Sequence, residues 1–210
     1  MLVFWGGMAA LVALQLWAVA DESRRRLEWV FKPAAAALFI AYGAWSGAFE
    51  STYGIVLFVG LVLAAGGDVF LIPKDRRAFL AGLISFLLGH VAYGVAFWVR
   101  GVDWTWLGVA GGAAVVIGLP VLRWLWPHVE GPMRGPVIAY VLVITTMVAL
   151  AAGTVGAHGN PWILVGAFGF YLSDLSVAQG RFVRQSFANR AWGLPLYFFS
   201  QLVLAGTVAS

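Results

Sequence analysis

The charged residues of this chain are confined to short stretches, and between them run apolar segments close to twenty residues long. Hydrocarbon offers backbone N–H and C=O groups no water partner, so such segments fold as helices that satisfy their own hydrogen bonds. Eight can be read, at 2–20, 34–49, 54–72, 78–99, 107–122, 136–155, 161–179 and 191–209. Most approach the roughly 20 residues needed to cross ~30 Å of hydrocarbon; the second and fifth are shorter. Pro73, Pro127, Pro132 and the run Gly159-Asn160-Pro161 punctuate the connectors. Only 10% of the residues are charged and 62% are hydrophobic, against about 25% charged in a soluble domain. The sequence therefore specifies an all-α integral membrane protein, read as a single polytopic domain over residues 1–210.

The basic residues set the orientation. Of 13 Lys and Arg, 12 follow the odd-numbered spans: Arg24, Arg25, Arg26 and Lys32; Lys74, Arg76 and Arg77; Arg123 and Arg134; Arg181, Arg184 and Arg190. Only Arg100 lies on the other side. Positive charge marks cytoplasmic loops, so this bias predicts an eight-transmembrane-helix bundle with both termini on the non-cytoplasmic side of the cell membrane. The net charge of +4 is this topogenic excess and implies no nucleic-acid partner. The chain has no cysteine, hence no disulfide and no thiolate chemistry. Ala18-Val19-Ala20 resembles a signal-peptide cleavage site, yet no basic residue precedes the first span and an Arg triplet follows it, so it reads as a retained helix. Trp29, Trp98, Trp104, Trp106, Trp126, Trp162 and Trp192 fall near span ends, as interfacial belts require. The pairs Gly66-Gly67 and Gly111-Gly112 are expected to let helices approach closely.

Three ionisable side chains lie within the spans, namely Asp68, His90 and Asp174. A charge at the bilayer centre costs roughly 2.5–3.5 kcal/mol on insertion scales, so such residues face a polar interior and mark function. Counted from the nearest cytoplasmic basic residue, Asp68, Asp174 and Tyr197 share a level ~9–10 Å in, by helical rise. His90 and Gln201 come out deeper, at ~20 Å and ~16 Å by the same rise, which sets His90 apart from the aspartates. Tyr197 and Gln201 share a helix face, as do Tyr171 with Asp174 and His90 with Tyr93. Spans seven and eight are expected to be antiparallel neighbours, with Tyr197 hydrogen-bonding Asp174. No phosphate-cradling Gly loop, nucleophile elbow or HExxH spacing is present. The depth difference between His90 and the aspartates argues against a metal site, and no cofactor is implied.

At these residues the chain resembles the YhhN family of small polytopic membrane proteins, whose characterised members are lysoplasmalogenases. The resemblance is carried by Lys32-Pro33, Gly67-Asp68-Val69-Phe70-Leu71, Gly89-His90-Val91-Ala92-Tyr93, Tyr140, Tyr171-Leu172-Ser173-Asp174 and Tyr197-Phe198-Phe199-Ser200-Gln201, in that order over nearly the whole chain. It implies an ether hydrolase that cleaves the vinyl ether bond of a lysoplasmalogen-type lysophospholipid to a fatty aldehyde and a glycerophospho-base. Its partners would then be that lipid and the surrounding membrane.

Vinyl ether hydrolysis needs a proton at the β-carbon, which leaves an oxocarbenium ion; water adds to the α-carbon and the hemiacetal collapses. The demand resembles glycoside hydrolysis, where one carboxylic acid donates and a carboxylate stabilises the cation or activates water. Asp68 and Asp174 are the expected acid/base pair, with either order of roles. Lys32 is expected to meet the phosphate at the cytoplasmic rim, and His90, Tyr93, Tyr140, Tyr171, Ser173, Tyr197 and Gln201 to line the pocket or support the pair. The residues alone also fit a transporter using the aspartates as proton or cation sites. Asp68 and Asp174 lie four spans apart at similar depth, which hints at a parallel repeat. A non-catalytic lipid-binding protein is a third reading.

Overall fold

The computed structural model describes residues 1–209, and every regular element among them is helical. The α-helices are α1 (Leu2–Val19), α2 (Glu28–Trp45), α3 (Thr52–Phe70), α4 (Arg76–Arg100), α5 (Trp104–Leu125), α6 (Gly131–His158), α7 (Pro161–Ala178) and α8 (Phe187–Gly206). Among the described residues six of these eight, α1 and α3 to α7, are long and apolar enough to cross a membrane. Helices α2 and α8 are similar in length but carry polar side chains that the bundle encloses, among them Glu28, Lys32, Asn189 and Gln201.

Local chemistry fixes where the helices start and stop. Ser51, Asp75, Asp103, Asn160 and Ser186 precede α3, α4, α5, α7 and α8, and each accepts a hydrogen bond from a first-turn backbone N–H. These caps satisfy donors that the helix itself leaves unpaired. Helix α6 ends on Gly159 at φ +76°, the left-handed conformation that glycine adopts without strain.

Apolar run length misplaces one start. Helix α2 begins at Glu28, six residues before the run at 34, so Lys32 lies inside a helix rather than in a connector. Glu28 and Lys32 are spaced i,i+4 and both are buried. Their charges turn into the bundle, where Arg25 and Asp68 receive them. The helix therefore has no reason to stop at the first charge.

Consecutive helices pair as α3–α4, α5–α6 and α7–α8, with α4 also on α6 and α2 against α1, α3 and α8. Close approach rests on small residues, as lipid tails supply no hydrophobic force between helices. Gly60 of α3 seats the Tyr93 ring, Gly67 seats Phe86, and on the α7–α8 seam Gly169 faces Ser200 while Gly193 faces Ser176. Gly111 and Gly112 serve no such contact, because nothing stands within 4 Å of where their Cβ atoms would be. All seven tryptophans placed at span ends are exposed.

Arg25, Lys74, Arg181 and Arg190 line one cavity, and Val129 and Met133 pack with Phe182. The four connectors rich in basic residues thus gather at one end of the bundle. Arg100 is at the other end, with its guanidinium 4.6 Å above the Tyr53 ring and its carbonyl 2.8 Å from His158 Nε2.

The packing predicts a contrast between two glycines. Gly60→Ala drives a methyl group into the fully buried Tyr93 ring and should destabilise by about 1–3 kcal/mol, the range for overpacking. Gly112→Ala meets no neighbour and should cost nothing. Thermal unfolding of the two variants in detergent checks this, with a fall in Tm expected for the first alone.

Candidate active site

Asp68 sits near the C-terminal end of α3 with only 2% of its side chain exposed. The Tyr197 hydroxyl donates to its Oδ2 at 2.6 Å, and Lys32 Nζ stands 3.5 Å from Oδ1. The ammonium, itself 8% exposed, offsets the carboxylate charge inside the bundle. Three helices (α2, α3 and α8) are tied together here. Aromatic rings hold Tyr197 in place: Phe39 of α2, Phe86 of α4, and Phe170 of α7 at a centroid distance of 5.4 Å.

Asp174 has a different set of partners. Its Oδ2 accepts from the Tyr140 hydroxyl at 2.7 Å and faces His90 Nε2 at 3.5 Å. His90 Nδ1 lies 2.7 Å from the Phe86 carbonyl. A carbonyl only accepts, so Nδ1 carries the hydrogen and the neutral ring presents a lone pair at Nε2. Nε2 is buried without a hydrogen-bond partner and faces the Asp174 carboxyl. The imidazole stacks on Phe170 at 4.3 Å and meets the Tyr140 ring edge-on at 5.3 Å, which fixes its plane. Asp174 is the more open carboxyl, at 14% side-chain exposure.

Two sequence expectations fail here. Tyr197 bonds Asp68, not Asp174, although α7 and α8 do pack together. Tyr197 packs its ring on Phe170 of α7 but directs its hydroxyl to α3. His90 is not set apart from the aspartates, since its ring reaches Asp174. Side chains lean toward the N-terminus of their own helix. Helix α4 runs away from the basic end and α7 runs toward it, so His90 leans down and Asp174 leans up. That convergence closes the gap that counting Cα positions leaves open.

Both carboxylates line a cavity of about 370 Å³ at the basic end of the bundle, within the ~300–1,000 Å³ typical of small-molecule sites. Lys32, Ser173 and Tyr197 line it too, with Arg25, Arg181 and Arg190 toward its mouth. Lys32 is thus engaged with Asp68 inside the cavity rather than standing free at the rim. Ser173 donates to the Phe170 carbonyl. Tyr93 and Gln201 bond each other behind Phe170, so they brace the wall. Tyr171 stacks on Phe168 and, with Asp174 and Tyr140, lines an adjoining apolar slot. Arg181 and Arg190 read as topogenic charges in the sequence, where nothing distinguishes cavity-lining arginines from the rest. Among the described residues no three His, Asp or Glu side chains cluster to hold a metal ion.

The model of the YhhN family matches residues 27–208. A lysoplasmalogenase of Bos taurus, TMEM86A, is 32% identical over 157 residues, covering 71% of this chain and 63% of the relative. The lysoplasmalogenase of Mycobacterium tuberculosis is 31% identical over 156 residues, 68% of this chain and 54% of the relative. The cephamycin export protein CmcT of Amycolatopsis lactamdurans is 36% identical over 149 residues, 71% of this chain but 27% of the relative. The chain spans less than two thirds of the length of these relatives. No solved structure matches.

The ion pair predicts a pattern of stability. Lys32→Met leaves Asp68 buried without its countercharge and should cost about 3–5 kcal/mol, the usual penalty for breaking a buried pair from one side. Adding Asp68→Asn to the same chain removes the orphaned charge and should restore most of the loss. Thermal unfolding of the single and double variants in detergent reads both effects.

Proposed function

The chain belongs to the YhhN family, and on that premise we propose that it hydrolyses the vinyl ether bond of lysoplasmalogen-type lipids to a fatty aldehyde and a glycerophospho-base. It does so as an eight-span protein of the cell membrane with both termini on the non-cytoplasmic side. The observation that carries this reading is the pair of differently partnered carboxylates opening on one cavity at the basic end of the bundle. The names of the mammalian and mycobacterial relatives support it.

The environments divide the labour. Asp174 faces His90 Nε2 at 3.5 Å and takes a hydrogen bond from Tyr140, so in this reading it is the group that delivers a proton to the β-carbon. The C–H bond forms as the double-bond electrons move toward the ether oxygen, leaving an oxocarbenium ion. Asp68, with its charge offset by Lys32, is the carboxylate that stabilises that cation. Water then adds to the α-carbon and gives up its proton to the Asp174–His90 pair, which restores it. Collapse of the hemiacetal releases the aldehyde and a free glycerol hydroxyl, so one water is consumed per turnover. Two carboxyl groups held in unlike surroundings are the recurring solution to acid and base work at one pH. Arg181 and Arg190 are placed to meet the lipid phosphate, the role that sequence alone gives to Lys32.

A second reading has one observation of its own, since a relative is named as an export protein. In that reading the aspartates are proton sites of a transporter. Purified protein in proteoliposomes, given an alkenyl lysophospholipid, separates the two. Aldehyde measured by mass spectrometry is expected for the hydrolase, with Asp174→Asn and Asp68→Asn each lowering turnover by about 10²–10⁴-fold, the usual contribution of an acid or base group. Full turnover by Asp68→Asn would overturn the assignment, and proton-coupled uptake without aldehyde would decide for transport.

A further inference from the structure

The polar cavity does not end at Asp174. An apolar slot bounded by α4, α5, α6 and α7 continues from it. The two spaces share Leu71, Phe79, Phe86, Asp174, Val177 and Arg181, so Asp174 stands where they meet. Beyond that junction the slot is walled by hydrocarbon side chains, among them Leu83, Val121, Val141 and Ile144. Its outer wall is α5, which packs mainly on α6, with smaller contacts to residues 126–128 and 179–183 and one ring contact to α4, Trp104 on Trp98. Helices α5 and α7 are therefore not packed along their lengths, and the slot faces the bilayer between them.

We propose that this slot seats the first carbons of the lipid's hydrocarbon chain, entered sideways from the bilayer, while the polar cavity holds the glycerophosphate. The proposal rests on the reading of the substrate as a single-chain lipid and adds where and how that lipid lies. In such a molecule the vinyl ether is the link between its apolar and polar parts. In this protein the Asp174 carboxyl is the link between an apolar and a polar space. Matching one to the other brings the reactive bond to Asp174 with no further constraint. The slot runs from the level of Phe79 to that of Phe86, seven residues of α4, or ~10 Å by helical rise. It thus grips only the carbons next to the ether and leaves the rest of the chain in the membrane, so distal chain length is not selected. A second groove, between α4 and α6 and lined by His90, Gly94, Trp98, Thr146, Met147 and Leu150, includes neither carboxylate and shares no lining residue with the polar cavity.

A non-cleavable alkyl-ether lysophosphatidylethanolamine with a diazirine at the fourth chain carbon tests the placement. It is photolysed with the full-length protein in phosphatidylcholine proteoliposomes, and labelled peptides are mapped by mass spectrometry. Label is expected on Leu83, Val121, Val141 and Ile144. Val141→Trp should reduce it at least tenfold and raise KM for an alkenyl lysolipid, while Val116→Trp, at an exposed position of α5 outside the slot, should keep both near wild type. Label concentrated on Gly94, Trp98 and Leu150, or spread evenly over the lipid-facing surface, overturns the proposal. Labelling needs no turnover, so slot labelling in a protein that releases no aldehyde upholds the site and rejects the hydrolase instead.

Discussion

A carboxylate cannot stand alone in hydrocarbon, and the way this bundle accommodates Asp68 determines much of its architecture. The compensating ammonium comes from Lys32 and the hydroxyl donor from Tyr197, so α2 and α8 must both pack beside α3. That requirement explains why these two helices carry more polar residues than their neighbours. It also explains why α2 reaches back to Glu28, because the helix must run past its own charged residues to present one of them to α3. Asp174 meets the same physical demand by other means, with a phenol and an imidazole in place of a full countercharge. Two acids of one kind thereby come to sit in unlike electrostatic surroundings a short way apart.

Phe170 ties the two surroundings together. Its ring contacts Phe86, His90, Tyr93 and Tyr197, so one side chain of α7 touches members of both aspartate sets. Tyr93 in turn is seated in α3 by Gly60 and bonded to α8 through Gln201. The polar groups are therefore positioned by close-packed rings rather than by long flexible side chains, as a preorganised site requires. Lys32 is the exception, and it is locked by its partner.

The sequence reveals the helical segments because apolar run length and cap residues are local properties. Ser51, Asp75, Asp103, Asn160 and Ser186 mark helix starts that can be read without any tertiary knowledge. The start of α2 is not legible in that way. It depends on an ion pair with a residue 36 positions further on, and the apolar run that marks the span begins only after Lys32. The singularity of Asp68 and Asp174 is legible, since intramembrane acids are rare. Their partners are not. Choosing Tyr197 for Asp68 and Tyr140 for Asp174 depends on how α3, α6, α7 and α8 are arranged in space, and the meeting of His90 with Asp174 depends on the opposed lean of side chains on antiparallel helices. Gly111 and Gly112 make the same point in reverse: a small-residue pair permits close approach but does not oblige any helix to make it.

The partners of the two aspartates also imply an order of assembly. A chain inserted from its N-terminus delivers Lys32 on α2 just before Asp68 on α3, so the most costly charge is offset almost as soon as it enters the bilayer. His90 and Tyr140 are both in place when Asp174 arrives on α7. Tyr197 comes only with α8, and with it the packing that closes the polar cavity. Lys32 and Asp68 thus enter one soon after the other, while the full set of interacting groups comes together only once α8 packs beside α2 and α3. A partly inserted chain carries the acids without their finished setting, and the lipids around it are exposed to none of the proposed chemistry.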